Sequence, residues 1–113
     1  MRPRDPRLFL ADIDTAVGRI LDYTAGGEAE FRASTHIQDA VVRQLEIIGE
    51  ATRNLDDHLL SQEPSIPWRK VVGMRHMLVH DYYQVDVGVV WDTVSSDLVE
   101  LRAAVQRLSR TLE

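Results

Sequence analysis

Cysteine is absent from this sequence of 113 residues, which excludes disulfides, thiolate nucleophiles and cysteine-ligated zinc or iron–sulfur sites. Redox chemistry is therefore not expected. Long apolar runs are also missing: no stretch approaches the ~20 residues that a membrane span needs, and residues 1–7 lack the apolar character of a secretory signal. These absences predict a soluble, cytoplasmic protein with no membrane partner.

The sequence also has fewer basic than acidic residues, 13 Lys and Arg against 18 Asp and Glu. Its net charge is −5, and Lys70 is its only lysine. This balance argues against binding to nucleic-acid duplexes through a broad basic face, but it leaves room for a local basic cleft that holds a few phosphates. The length is that of a single domain, residues 1–113, which can bury its core without metal or disulfide support.

The apolar residues that are present recur at spacings of three and four, the period of amphipathic α-helices. Prolines, glycines and capping residues divide this pattern into four main helices. The first helix follows Pro6, and the second begins near Ser34 or Thr35. The third opens with Pro67 in its first turn, and the fourth runs from about Val87 to Leu112. Short connections between them predict an all-α, up-and-down bundle of four main helices.

Large apolar side chains outside the regular stripes extend the predicted core. Trp68 and Trp91 fall on the apolar faces of their helices, so we interpret them as core anchors rather than as a platform for stacking bases. Leu59 and Leu60 follow the second helix and are expected to extend its packing. The two tryptophans are therefore expected to stabilise the core and not to form a binding surface.

Residues 68–83, called the basic segment below, oppose the acidic balance of the whole chain. No Asp or Glu occurs from Pro64 to His80. The same interval contains five basic side chains, which are Arg69, Lys70, Arg75, His76 and His80. Arg69 and Lys70 are candidates for contacts with RNA phosphates. This local concentration of basic groups predicts a site for an anion.

The chemistry of Arg75 and His80 suits the cleavage of RNA without a metal ion. Histidine titrates near neutrality, so His80 can take a proton from a hydroxyl or return one to a leaving group. Arginine holds two phosphate oxygens at once and stabilises charge that develops when a 2′-hydroxyl attacks its own phosphate. A structural interpretation stays open, because Arg and His at the end of a helix often bind terminal carbonyls.

Helix geometry does not bring Arg75 and His80 together within one chain. At ~100° per residue the two side chains lie ~140° apart, whereas Tyr82 returns to within ~20° of Arg75. The two residues can still line one concave surface if the helix frays after His80, or if a symmetry mate brings a second copy of the pair alongside. The spacing alone leaves both options open.

His76 and His80 also have the i, i+4 spacing of a helical metal-binding pair. A metal site is disfavoured, because the residues between them supply no glutamate general base and no third ligand is indicated. We therefore predict no metal and no cofactor, with His76 as a possible supporting residue.

Two acidic residues of the second helix share one face. Glu46 and Glu50 have no further acid nearby in the sequence, so they are interpreted as solvated or as paired with Arg43 and Arg53. This pattern predicts a surface network rather than an acidic catalytic pair.

The arrangement Arg75-x4-His80-x-Tyr82 matches the R-x4-H-x-Y motif of the HepT-like toxins, also labelled DUF86, in the HEPN superfamily. The chain resembles that family over nearly its whole length. The similar segments are Leu45-Glu-Ile-Ile-Gly-Glu-Ala51, Ile66-Pro-Trp68, His80-Asp-Tyr82 and the closing leucine-rich helix. One position departs from the pattern: such proteins commonly have Asn after the motif arginine, where this chain has His76.

The resemblance implies a homodimeric all-α bundle in which Arg75 and His80 of both subunits meet in a cleft that cleaves RNA without metal. It implies a type VII toxin–antitoxin system, whose partner is a minimal, MntA-like nucleotidyltransferase. That antitoxin transfers AMP from ATP to the motif tyrosine, which is Tyr82 by position. Adenylylation adds bulk and a negative phosphate beside the two catalytic residues.

Two alternatives belong to other functional classes. Some relatives of this family are described as non-catalytic subunits that bind a nucleotidyltransferase and nucleotides, and in such a protein the same residues merely hold phosphate. In a purely structural helical dimer, the basic segment only caps helices. The residues by themselves do not separate these possibilities.

Overall fold

The computed structural model describes residues 4–76 and 86–113, and the regular secondary structure in these two ranges is entirely helical. Seven α-helices are present there: α1 (Pro6–Tyr23), α2 (Glu28–Ala33), α3 (Thr35–Arg53), α4 (Asp57–Leu60), α5 (Trp68–Gly73), α6 (Val87–Asp92) and α7 (Leu98–Thr111). A 3₁₀ turn, Met74–His76, continues α5, and a π-helical stretch, Thr93–Asp97, joins α6 to α7. The predicted all-α class is confirmed.

Capping residues begin the first two long helices, and the second of these caps is the Ser34 that the sequence predicts. Asp5 caps α1 by accepting a hydrogen bond from the Arg7 amide at 2.9 Å, and Pro6 occupies the first helical position. The Ser34 hydroxyl accepts from the Ile37 amide at 3.2 Å and so begins α3. These boundaries are set by local chemistry, which explains why the sequence predicts them.

The core lies between α1, α3 and α7, with α1 packed against both of the other long helices. Its largest fully buried side chains come from these three helices and from α2; they are Phe31, Leu10, Ile13, Ile20, Leu45, Ile48, Leu98 and Leu108. Leu59 and Leu60 are buried in α4, as predicted. None of the helices within the two described ranges combines the length and apolar character that crossing a membrane requires.

The third helix differs from its prediction at both ends. Pro67 is the N-cap of α5 and not part of its first turn. Trp68 anchors this start as predicted, since its indole Nε1 donates to the carbonyls of Leu60 at 2.9 Å and Glu63 at 3.0 Å. At its other end α5 stops at Gly73, and the tighter 3₁₀ turn begins, so α-helical spacing does not continue through Arg75.

Three local features are absent from the sequence prediction. The short helices α2 and α4 contain too few residues to establish a period, and α2 is secured by a tertiary contact between Phe31 and Trp91, with ring centroids 5.3 Å apart. The predicted last helix extends from Val87 to Thr111, but the π-helical stretch interrupts it. Such features depend on packing and not on sequence period.

Candidate functional site

Arg75 lies in the 3₁₀ turn that follows α5, and the backbone of this turn rests directly on α3. The contact is made at Gly49, which is buried four residues before the end of α3. A Cβ atom at position 49 would overlap the Arg75 amide nitrogen and would lie 2.9 Å from the Val72 carbonyl oxygen. Glycine is therefore required for this close approach, which holds the Arg75 backbone against α3.

The Arg75 side chain lines a cleft of about 340 Å³ between α1 and α3, called the Arg75 cleft below. The α3 residues in its wall follow helical spacing along one face. The full lining is Arg4, Phe9, Asp12, Arg43, Glu46, Ile47, Glu50, Ala51, Asn54 and Arg75. Three cations and three carboxylates therefore share one small concave surface.

Part of this charge is already paired on the α1 side of the cleft. Arg4 forms an ion pair with Asp12 at 3.1 Å, and its guanidinium carbon lies 4.6 Å from the centroid of the Phe9 ring. These contacts occupy one cation and one carboxylate of the lining. The α1 wall therefore adds little net charge to the cleft.

Pairing on α3 is uneven. Glu50 forms the predicted ion pair with Arg53 at 3.0 Å, and the Asn54 side-chain amide donates to the Glu50 carbonyl at 2.8 Å. Arg43 and Glu46 make no hydrogen bond or ion pair within residues 4–76 and 86–113. The Nε atom of Arg75 is buried and has no acceptor in those same ranges. The cleft thus presents one buried donor without an acceptor, on Arg75, together with an arginine and a carboxylate that have no ionic partner in the described ranges.

A buried guanidinium nitrogen without an acceptor is costly, since it has lost its water without gaining a hydrogen bond. Such a group is satisfied when an anion or a water enters the cleft. Arginine is suited to a phosphate because its planar fork can donate two parallel hydrogen bonds. The arrangement can therefore bind a phosphate group beside α3.

The remaining predicted residues of the basic segment lie in several places. His76 is half-buried in the same 3₁₀ turn as Arg75. Arg69 and Lys70 are exposed on α5 and do not line the Arg75 cleft: Arg69 borders a separate cleft of about 310 Å³, and Lys70 borders a cavity of about 70 Å³. His80 and Tyr82 lie outside the described residues. In the described part of the chain, no group of three His, Cys, Asp or Glu side chains is arranged to hold a metal ion.

The sequence contains one signal for this site that the motif does not include. Glycine inside a helix costs about 1 kcal/mol relative to alanine, so Gly49 within the regular pattern of α3 indicates a close approach by another part of the chain. Arg43 and Glu46 carry no comparable signal, because exposed charged residues at this spacing are common on helices.

A family model described as Ribonuclease HepT-like matches residues 13–108, which include α3, α5 and the turn that carries Arg75. The chain belongs to the HepT-like family. This confirms the family resemblance that the motif and its flanking segments indicate.

Relatives of this HepT-like chain include archaeal and bacterial proteins. A probable ribonuclease HepT of Thermococcus cleftensis is 38% identical over 95% of this chain and 98% of its own length. A candidate RNase of Methanocaldococcus jannaschii is 34% identical over 94% of this chain and 98% of its own. A candidate RNase of Caldanaerobacter subterraneus subsp. tengcongensis is 38% identical over 93% of this chain and 95% of its own length. No solved structure matches the HepT-like chain.

Proposed function

We propose that this HepT-like protein is a metal-independent endoribonuclease and the toxin of a type VII toxin–antitoxin pair. Arg75 binds the scissile phosphate, and His80 acts as general acid or base. The observation that carries the proposal is the buried Arg75 Nε, which has no acceptor in the described ranges and belongs to a side chain lining a cleft. The family and the names of its members supply independent support.

The reaction needs only groups that this chain and its substrate supply. The 2′-hydroxyl of the RNA loses a proton to His80 and attacks the adjacent phosphorus, and the bond to the 5′-oxygen breaks. That oxygen leaves with the proton that His80 has taken up, so His80 ends the reaction neutral. Arg75 stabilises the negative charge that develops on the non-bridging phosphate oxygens in the transition state. The products are a 2′,3′-cyclic phosphate and a 5′-hydroxyl.

The proposal includes a homodimer. As the family resemblance implies, a second subunit supplies the complementary member of each Arg75–His80 pair. Isologous dimers present the same surface twice, which makes two equivalent sites from one motif. In the proposed dimer, symmetry thus brings Arg75 of one subunit to His80 of the other.

The proposal also includes control by a minimal, MntA-like nucleotidyltransferase, which transfers AMP from ATP to Tyr82. The added phosphate competes with the RNA backbone for Arg75, and the adenosine fills space that the substrate needs. Mass spectrometry after incubation with the cognate enzyme and ATP tests this step. AMP on Tyr83, or on neither tyrosine, contradicts it.

RNA cleavage in excess EDTA tests the enzyme directly. The purified protein is compared with Arg75→Ala and His80→Ala, with Arg110→Ala as a control that removes an exposed charge from the last turn of α7. We expect cleavage by the wild type and the control, and losses of more than about 100-fold in the two site variants. Equal rates in all four proteins overturn the proposal.

The supporting role of His76 is tested in the same assay. His76→Asn introduces the residue that commonly follows the motif arginine in the family. An unchanged rate assigns His76 a structural role, whereas a reduced rate with unchanged thermal stability assigns it to the site.

A further inference from the structure

We infer that the Arg75 cleft is a base-recognition subsite, which receives a guanine next to the scissile phosphate, with Glu46 reading the base and Arg43 binding a neighbouring phosphate. The inference rests on the proposed ribonuclease function and adds a substrate preference to it. It assigns roles to two residues outside the R-x4-H-x-Y motif.

The shape of the cleft suits one nucleotide. Its volume of about 340 Å³ lies at the lower end of the range for small-molecule sites. Ile47, Ala51 and Phe9 contribute apolar wall between the charged groups, which is the surface that a flat base requires. Arg75 is itself part of the lining, so a nucleotide in the cleft adjoins the phosphate that Arg75 is proposed to hold.

The charges in the cleft narrow the choice of ligand. The Arg4–Asp12 and Arg53–Glu50 pairs neutralise most of the lining. Arg43, Arg75 and Glu46 are left without ionic partners in the described ranges, two cations against one anion. A free phosphate satisfies only the cations. A ligand that carries a phosphate and also hydrogen-bond donors satisfies all three.

Glu46 determines which base fits. An ionised carboxylate has two acceptor oxygens and no donor. Guanine alone among the four RNA bases offers two adjacent donors on its Watson–Crick edge, N1–H and the exocyclic amino group. Adenine and cytosine place a ring-nitrogen acceptor beside their amino groups, and uracil places a carbonyl on each side of its single N–H. Only guanine therefore pairs with both oxygens of Glu46 without repulsion.

The position of Arg43 explains its proposed role. It lies one helical turn before Glu46 and Ile47 on the same face of α3, at the i, i+3 and i, i+4 spacings. Because Gly49 holds the Arg75 backbone against the same helix, Arg43 and Arg75 are attached to one rigid element. Two arginines fixed in this way can bind successive phosphates of a strand whose base lies between them.

Cleavage of matched oligoribonucleotides tests the inference. Each substrate contains one variable nucleotide, G, inosine, A, C or U, in an otherwise uridine strand, and inosine lacks only the exocyclic amino group of guanine. We expect cleavage next to G to exceed cleavage next to inosine by roughly tenfold. Glu46→Gln removes this preference, because its amide replaces one acceptor with a donor. Glu100→Gln on α7, which changes the same charge outside the Arg75 cleft, preserves it.

Arg43→Ala supplies a second, independent measurement. We expect KM to rise several-fold with little change in kcat, and the slope of log(1/KM) against log salt to fall by about 0.7, as for the loss of one phosphate contact on a single strand. Arg110→Ala, which removes an exposed charge that does not line the Arg75 cleft, is expected to leave both quantities unchanged.

The outcomes separate the inference from the proposed function. If the wild type cleaves none of the substrates, the ribonuclease proposal fails. If the wild type cleaves all five equally, or if Glu46→Gln keeps the preference for G, the subsite is wrong although the ribonuclease stands. A change of oligomeric state in Glu46→Gln or Arg43→Ala with unchanged cleavage likewise overturns the subsite and assigns these residues to an interface between subunits.

Discussion

At the scale of single residues, Glu63 connects three parts of the chain. Its side chain is only 15% exposed and accepts a hydrogen bond from Arg107 of α7 at 2.6 Å. Its carbonyl accepts from the indole of Trp68, the residue that begins α5. The loop before α5 is thereby fastened to α7 by one residue, close to the segment that carries Arg75.

The Glu63–Arg107 pair predicts a pH-dependent contribution to stability. The hydrogen bond from Arg107 holds the pKa of the Glu63 carboxyl below its ordinary value of 4.5. A lowered folded-state pKa stabilises the fold above the unfolded pKa, and this contribution is lost as pH falls through the folded value. We therefore expect Glu63→Gln to lower the melting temperature near neutrality.

Thermal melting followed from neutral pH to about pH 3 checks the sign. The difference in melting temperature between wild type and Glu63→Gln narrows as the pH falls below about 4.5, because the wild-type carboxyl then becomes protonated and uncharged, like the glutamine amide. Glu100→Gln serves as the control, because Glu100 is exposed and forms no ion pair in the described ranges. A difference that persists unchanged at low pH contradicts the assignment.

Site residues differ in how far the sequence alone predicts them. Arg75 is predictable because it belongs to a motif and lies in an acid-free interval. Glu46 is interpreted from the sequence as solvated or paired; the fold leaves it partly exposed and places it in the lining of the same cleft as Arg75. Its environment depends on a turn almost thirty residues further along the chain, which local pattern does not encode.

At the scale of elements, the important contact is between α3 and the 3₁₀ turn after α5. It depends on the absence of a side chain at Gly49. The clash that a Cβ would make is with backbone atoms of Arg75 and Val72, which cannot rotate away as a flexible side chain could. The turn is therefore positioned by backbone packing.

Gly49→Ala is predicted to displace this turn. We expect a loss of about 1–3 kcal/mol in the free energy of unfolding from overpacking. RNA cleavage should fall by roughly 100-fold, because a shift of about 1 Å misplaces a catalytic group. Thermal melting and cleavage rates, measured at a temperature where every variant is folded, check both effects.

Gly73→Ala is the matched control for this experiment. Gly73 ends α5 two residues before Arg75, and a Cβ there meets no atom of residues 4–76 and 86–113 within 4 Å, apart from its chain neighbours and the backbone of its own helix. We expect unchanged or slightly increased stability, since alanine favours helix over glycine by about 1 kcal/mol. Similar behaviour of the two alanine variants would show that the contact at Gly49 does not position Arg75.

At the scale of the whole molecule, α1 lies between α3 and α7, and the Arg75 cleft opens between α1 and α3. The proposed active site extends beyond one subunit, because it combines Arg75 of one subunit with His80 of another. The proposed site therefore differs in kind from an active site that is complete within each subunit.

Subunit complementation distinguishes the two arrangements. We predict that mixing Arg75→Ala and His80→Ala subunits restores RNA cleavage to about a quarter of the wild-type rate, because half of the dimers are mixed and each mixed dimer has one intact pair. The measurement is cleavage after co-refolding or co-expression, with each variant alone as control. A mixture as inactive as its components shows instead that both residues act within one subunit.

The sequence by itself determined the helical class, the starts of α1 and α3, the anchoring role of Trp68 and the motif that contains Arg75. Each follows from spacing or capping within a few residues, where local energies are sufficient. Only the tertiary structure decided where α5 ends, why position 49 is glycine and that Arg43 and Glu46 share a cleft with Arg75. These features arise from contacts between distant parts of the chain, whose energies appear only once α1, α3 and the 3₁₀ turn are packed together.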